Sequence, residues 1–250
     1  MKKSIFLLIM MFVLAITINA QNDTMYIIKQ GNILGKYKVS DVDSVIFYKP
    51  FTSNSTTVTD IEGNVYKTVT IGTQVWMAEN LKTTKYNDGT TIPNVINNTA
   101  WGNLKTPAYC WYSNDAISYK NAYGALYNWY TVNTGKLCPT GWHVPSEAEW
   151  TTLTTYLGGE SVAGGKMKTV TDWSSPNTGA SNSSGFSALP GGYRLSKGTF
   201  TTNGDYGGWW SSTEPSTTYA WARVLGSIHS DVYRFYNDKE YGSSVRCLKD

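Results

Sequence analysis

The chain has 250 residues, 41% of them hydrophobic and 16% charged, with 21 basic residues against 18 acidic ones. Setting aside Lys2 and Lys3, which belong to a leader segment, leaves 19 basic residues against the same 18, so the remainder is nearly neutral. Such a chain lacks the basic stripe that neutralises phosphates, which excludes a nucleic acid as the expected partner.

Residues 1–20 read as a signal peptide, because Lys2 and Lys3 precede an apolar run from Ile5 to Ile16 and Ala20 supplies the small residue of a cleavage site. A run of roughly 12 residues is short for a membrane helix, which takes about 20. The expectation is an exported chain starting at Gln21, secreted or held at the cell surface, with no transmembrane anchor after cleavage. No cysteine follows the cleavage point, so a lipid-anchored form is not indicated. Cysteine usage agrees with an oxidising compartment, since Cys110, Cys138 and Cys247 allow one bridge and one free thiol. Without a CxxC pair, and with only 2 histidines, a structural zinc site is not expected. Ten tryptophans and 18 tyrosines among few charges point to a β-rich protein whose rings mostly fill cores, while a minority could line a binding surface.

In chain order, residues 21–50 form a short β-hairpin module, with strand-like runs at Tyr26–Lys29 and Val45–Tyr48 around a glycine-containing middle. It is too small to stand alone and is expected to dock on the main domain or on a partner. Residues 51–59, FTSNSTTVT, read as a linker. The main domain, residues 60–250, opens with VYKTVTI and QVWMAENL around Gly72-Thr73, a pair suited to a type II′ turn. Tyr123, Leu126, Tyr127 and Tyr130 at helical spacing predict a helix over Ala122–Val132, with Gly135 as its stop. Ser146 and Glu149 form a capping box ahead of a second helix, whose buried stripe is Trp150, Leu153 and Leu157 and whose end is Gly158-Gly159. Beyond Leu157 the segments GGKMK, SSGF, LPGGYR and DYGGWW read as strands and turns with no further long helix. The fold class is therefore α+β, with two helices and a long irregular β-rich C-terminal region.

Between about residue 60 and residue 250 the chain carries IGTQVWMAENL, YCWYSND, YGALYNWY, LCPTGWHVPSEAEW, GFSALPGGYR, GGWWSSTE and SVRCLKD. Together these strings resemble the Fibrobacter succinogenes major paralogous domain family of secreted bacterial proteins. The earlier DVDSVIFYKP is similar to a leader module found before such domains. The family in turn resembles the C-type lectin-like fold, shared with formylglycine-generating enzymes and with the hypervariable target proteins of diversity-generating retroelements. This resemblance implies a Cys138–Cys247 bridge, closing a loop of about 110 residues worth up to roughly 4–5 kcal/mol in the chain-entropy model. Cys110 is then the unpaired thiol.

Between WWSST and SVRC, alternation groups Tyr219, Trp221 and Arg223 on one strand face, and Tyr233, Phe235 and Asn237 on a face of another. Ligand variation in the retroelement-diversified relatives falls in this late part of the fold. The resemblance thus makes Tyr219, Trp221, Arg223, His229, Asp231, Tyr233, Arg234, Tyr236 and Asn237 the ligand-binding candidates, and Tyr, Trp and Arg are types that concentrate binding energy. About half of the aromatic rings there are expected to be core. Lectin-type calcium binding uses a Glu-Pro-Asn segment and a later Trp-Asn-Asp, for which this chain offers Glu214-Pro215-Ser216 and Tyr236-Asn237-Asp238. Glu214, Asn237 and Asp238 are the candidate calcium ligands; the alternative is a turn and a solvated loop, since serine is a poorer ligand than asparagine.

No residue is assigned to catalysis. Formylglycine-type chemistry needs neighbouring reactive cysteines, and a bridged pair leaves only Cys110. His143 is expected to bond backbone beside the helix start, and His229 lies in a loop. Asp172, Asp205 and Glu214 have no spacing of a facing acid pair. GGESVAGGKMK departs from a phosphate loop and reads as a β-turn segment. The expected function is a secreted or cell-surface, non-enzymatic binding module for a glycan or protein. The alternatives are an extracellular carbohydrate-active or formylglycine-generating-like enzyme, and a surface-assembly protein whose N-terminal hairpin adds to a partner's sheet edge.

Overall fold

A computed structural model describes residues 24–29, 32–41 and 56–250; the leader 1–20 and Val45–Tyr48 lie outside the described residues. The chain divides into two units, residues 1–52 and 53–250. In the first, Thr24–Lys29 (β1) pairs antiparallel with Asn32–Lys38 (β2), with a register shift between Ile27 and Ile28. The described partner of the first strand is thus NILGKYK. Gly35 hid that strand from a sequence reading, since glycine weakens strand propensity. The Tyr37 ring covers the bare Gly35 backbone and restores some of the missing packing.

The second unit holds, in chain order, β3 (Thr57–Thr59), β4 (Val65–Ile71), β5 (Gln74–Met77), α1 (Asn98–Gly102), β6 (Tyr109–Cys110), α2 (Ala116–Tyr123), β7 (Leu126–Tyr127), α3 (Trp129–Val132), β8 (Trp142–His143), α4 (Glu147–Tyr156), α5 (Glu160–Met167), β9 (Tyr193–Arg194), β10 (Phe200–Thr201), β11 (Tyr206–Trp210), β12 (Tyr219–Gly226), β13 (Tyr233–Asp238) and β14 (Leu248–Lys249). The class is α+β. A five-stranded sheet runs β3-β4-β5-β14-β8, and a three-stranded sheet runs β11-β12-β13. Thr57–Thr59 is therefore a strand of the domain rather than the end of a linker, because its backbone pairs with Val65–Lys67. The β4–β5 hairpin turns on Gly72-Thr73 as expected, with Gly72 at φ +64 in the position where a type II′ turn demands glycine.

Two helical expectations need correction. Ala122–Val132 is not one helix: α2 ends at Tyr123, β7 follows, and α3 starts after the Asn128 cap. Gly124 forces the break, since it sits at φ +76 with Leu81 O only 2.7 Å from where a Cβ would stand. The second correction is α5, which occupies ESVAGGKM within the stretch read as a turn. Its Gly164 and Gly165 permit backbone contact: a Cβ on either would lie 2.3 Å from Asp231 O or Gly179 O. The capping box of α4 forms as expected, with Ser146 N donating to Glu149 Oε2 at 2.7 Å and Trp150, Leu153 and Leu157 buried.

Successive residues of a strand face opposite ways, and β11 uses this to feed two cores. Trp209 joins Trp76, Trp150, Phe186 and Leu225; Trp210 joins Tyr66, Trp129, Ala220 and Ala222. The Cys138–Cys247 disulfide lies in the second cluster, beside β8 and β14. Three buried cations pin loops to this frame. Arg246 donates to Asn80 Oδ1, Phe186 O and Ser187 O, and Arg194 to Gly198 O, Val95 O, Ile96 O and Asn98 Oδ1. Lys168 Nζ reaches Thr178 O, Gly226 O and His229 O within 3.0 Å, and burial pushes its pKa down to about 8. Carbonyl oxygens replace water around each charge, which makes burial tolerable.

Candidate functional site

The nine ligand candidates all lie on or between β12 and β13, and the pairing register sorts them. Trp221 faces Tyr236, Arg223 faces Arg234, and Tyr219 faces Asp238. Directly opposed residues share a sheet face, so Tyr219, Trp221, Arg223, Arg234 and Tyr236 form one surface. Tyr233 and Asn237, opposite Val224 and Ala220, look the other way. There Tyr233 contacts Phe235 and His229, with ring centroids 5.9 and 5.4 Å apart. Asp231 sits in the loop that Gly164 lets approach α5.

None of the four candidate aromatic rings is buried, against an expectation of half. Tyr219 is 39% exposed and Tyr236 is 57% exposed, while Trp221 and Tyr233 are half-buried. The ring of Tyr236 stands edge-on to both Tyr219 and Trp221, at 5.3 and 5.6 Å, an arrangement that satisfies the ring quadrupoles. Phe235, 50% exposed, belongs to the opposite face.

Under the rings lies an ionic lattice that no local pattern announced. Arg223, 1% exposed, pairs with Glu147 at the start of α4 and with Glu160 at the start of α5, and also donates to Thr151 Oγ1 at 3.1 Å. Arg234 Nε approaches the same Glu147 Oε1 at 2.7 Å, and its guanidinium carbon lies 3.8 Å from the Trp221 ring centroid. Two arginines directly opposite on a sheet repel, and Glu147 between them offsets that cost. Arg223 is thus a supporting residue rather than a contact residue. The partners come from positions 76 and 63 residues away in sequence, so only the folded chain reveals them.

The calcium set does not fit its metal. The segments around Glu214 and Asp238 do meet, because Lys239 N donates to Thr218 O. What they enclose is Lys239 itself, whose ammonium pairs with Glu214 and stacks 4.6 Å from the Trp129 ring centroid. Asn237 and Asp238 are successive strand residues opposite Ala220 and Tyr219, so their side chains leave opposite faces of the sheet and do not form one cage. Among the described residues no group of three or more His, Cys, Asp or Glu side chains is placed to hold a metal.

His143 bonds side chains and not backbone. Its Nδ1 lies 2.6 Å from Asp250 Oδ1 and its Nε2 lies 2.9 Å from Glu149 Oε1. Burial lowers its pKa, but the hydrogen bonds to Asp250 and Glu149 outweigh that and hold it above the ordinary value. Cys110 is buried, and burial pushes its thiol up to about 12, far from the range of a nucleophilic thiolate. Asp172 and Asp205 are exposed on separate loops.

Fold and site together define a disulfide-stapled α+β domain whose last long strands carry an exposed aromatic face. The chain belongs to the Fibrobacter succinogenes major domain family, whose model matches residues 69–249. No curated protein and no solved structure matches it. Among the described residues no helix is long and apolar enough to cross a membrane.

Proposed function

We propose that this chain is an exported, non-enzymatic binding module of C-type lectin-like fold, with residues 1–20 as a cleaved leader, 21–50 as an appended hairpin module and 57–250 as the binding domain. Its ligand, a glycan or a protein, rests on the face made by Tyr219, Trp221, Arg234 and Tyr236. One observation carries the reading: the exposed rings of Tyr219 and Tyr236 cluster edge-on with Trp221, which stacks on Arg234, itself paired with Glu147. Aromatic rings left in water at fixed spacing cost solvation without adding core, and ligand contact recovers it. The disulfide supports export, because such bridges persist in oxidising compartments.

Glycan-array binding by the Tyr219→Ala/Tyr236→Ala double variant, compared with Tyr233→Ala on the opposite face, tests the assignment. Loss in the first and retention in the second is expected. Equal loss in both, or retention in both, would remove this face from the function. Binding is also expected to survive chelation, since Lys239 already neutralises Glu214.

A further inference from the structure

We infer that Arg234 is an oxyanion receptor, so that the ligand of this face is an acidic glycan bearing a uronate carboxylate or a sulfate ester; the inference rests on the binding-module reading above. The argument begins with what the lattice already explains. Arg223, Glu147 and Glu160 together carry one surplus negative charge, and a cation near Glu147 balances it. Any lysine could supply that balance. The geometry of Arg234 goes further.

Its guanidinium is fixed on two sides. Nε is held 2.7 Å from Glu147 Oε1, and the plane rests on Trp221 at 3.8 Å. The side chain nevertheless remains 45% exposed, its ion pair runs through Nε, and among the described residues Nη1 and Nη2 make no hydrogen bond. A guanidinium immobilised by its inner edge therefore offers its outer edge to solvent. That edge is a pair of parallel N–H donors, which matches two oxygens of a carboxylate or sulfate, and prior immobilisation reduces the entropy lost on binding. Tyr236, the neighbour of Trp221 across the strands, stands exposed beside it. A sugar ring presents C–H groups that pack on an aromatic face, and an acidic sugar carries its oxyanion on that same ring. The fork and the tyrosines thus read two parts of one residue, which an acidic peptide side chain does not offer.

The test uses the full chain on oligogalacturonate beside its carboxyl-reduced counterpart, a sulfated galactan beside its desulfated counterpart, and polyglutamate, at about 0.15 M ionic strength. At least one acidic glycan should bind about tenfold tighter than its neutral twin. The two pairs distinguish carboxylate from sulfate. Arg234→Gln should abolish the preference, and Arg234→Lys, which keeps the charge without the fork, should lose most of it. Unchanged thermal unfolding in both variants would show that the loss is local. Equal binding to acid and neutral twin would overturn the oxyanion assignment while leaving the binding module standing. Full activity of Arg234→Lys would overturn the fork, and preference for polyglutamate would overturn the glycan. Absence of binding to any probe would sink this inference, whereas a Tyr219/Tyr236-dependent protein or other glycan ligand would still uphold the broader reading.

Discussion

Two arginines in the C-terminal half, each stacked on an aromatic ring, show how differently its interior and its rim are built. Arg246 lies 4.2 Å from the Phe186 ring centroid with all three guanidinium nitrogens donating inward, to Asn80, Phe186 and Ser187. Arg234 lies over Trp221 with its outer nitrogens unused. In the interior the Arg246 cation is acceptable because each of its nitrogens has an acceptor. At the rim the donors stay free because water is present, and that freedom is what a ligand can exploit. Saturation of hydrogen bonds thus separates a structural arginine from a receptive one better than stacking or residue type does.

The contrast is sharpest in stability. Arg246→Ala would leave a cavity and take the arginine donor from Phe186 O and Ser187 O, while Asn80 Oδ1 keeps Trp209 Nε1, and should cost about 3–5 kcal/mol in denaturant unfolding. Tyr236→Ala at the rim should stay within about 0.5 kcal/mol. Similar losses for the two would erase the distinction. A smaller but still clear effect is expected at Gly164, where alanine ordinarily favours a helix by up to about 1 kcal/mol. Here a Cβ would meet Asp231 O, so Gly164→Ala should destabilise by about 1–3 kcal/mol and loosen the Ser230-Asp231 loop in hydrogen exchange.

The smallest effect should come from pH. His143 is raised and Glu149 is lowered, the latter because bonds from Ser146 and His143 overcome the upward push of burial. A raised histidine contributes stability fully present below its ordinary value of about 6.5 and lost as pH climbs through the folded value. Glu149's share is present above its ordinary value of about 4.5 and lost as pH falls through its lower folded value. The group is more than a third exposed, so after screening the contribution is at most about 1 kcal/mol. The melting temperature should therefore fall between pH 6 and pH 8.5 in the wild type by more than in His143→Gln; identical profiles would show that the cluster adds nothing.

What could be read from the sequence was local. The Ser146–Glu149 capping box and the Gly72-Thr73 turn each depend on two to four adjacent residues, and both formed. The break at Gly124 and the close packing of α5 depend on Leu81, Asp231 and Gly179, which approach only after folding. Glycine in such places marks a close approach rather than a turn. The site followed the same rule. Alternation grouped Tyr219, Trp221 and Arg223, yet only the β12–β13 register shows that Arg234 and Tyr236 join them and that Tyr233 and Asn237 do not. Glu147 and Glu160 stood unremarked at two helix starts because their partner lies far along the chain.

The Cys138–Cys247 bond also has a mechanical meaning. Strands β11, β12 and β13 all fall inside the covalent loop that it closes. Tension applied along the chain would pass from Cys138 straight to Cys247 through sulfur, leaving the intervening residues unloaded. A domain wired in this way can be pulled by its chain while the surface bearing Tyr236 and Arg234 keeps its shape.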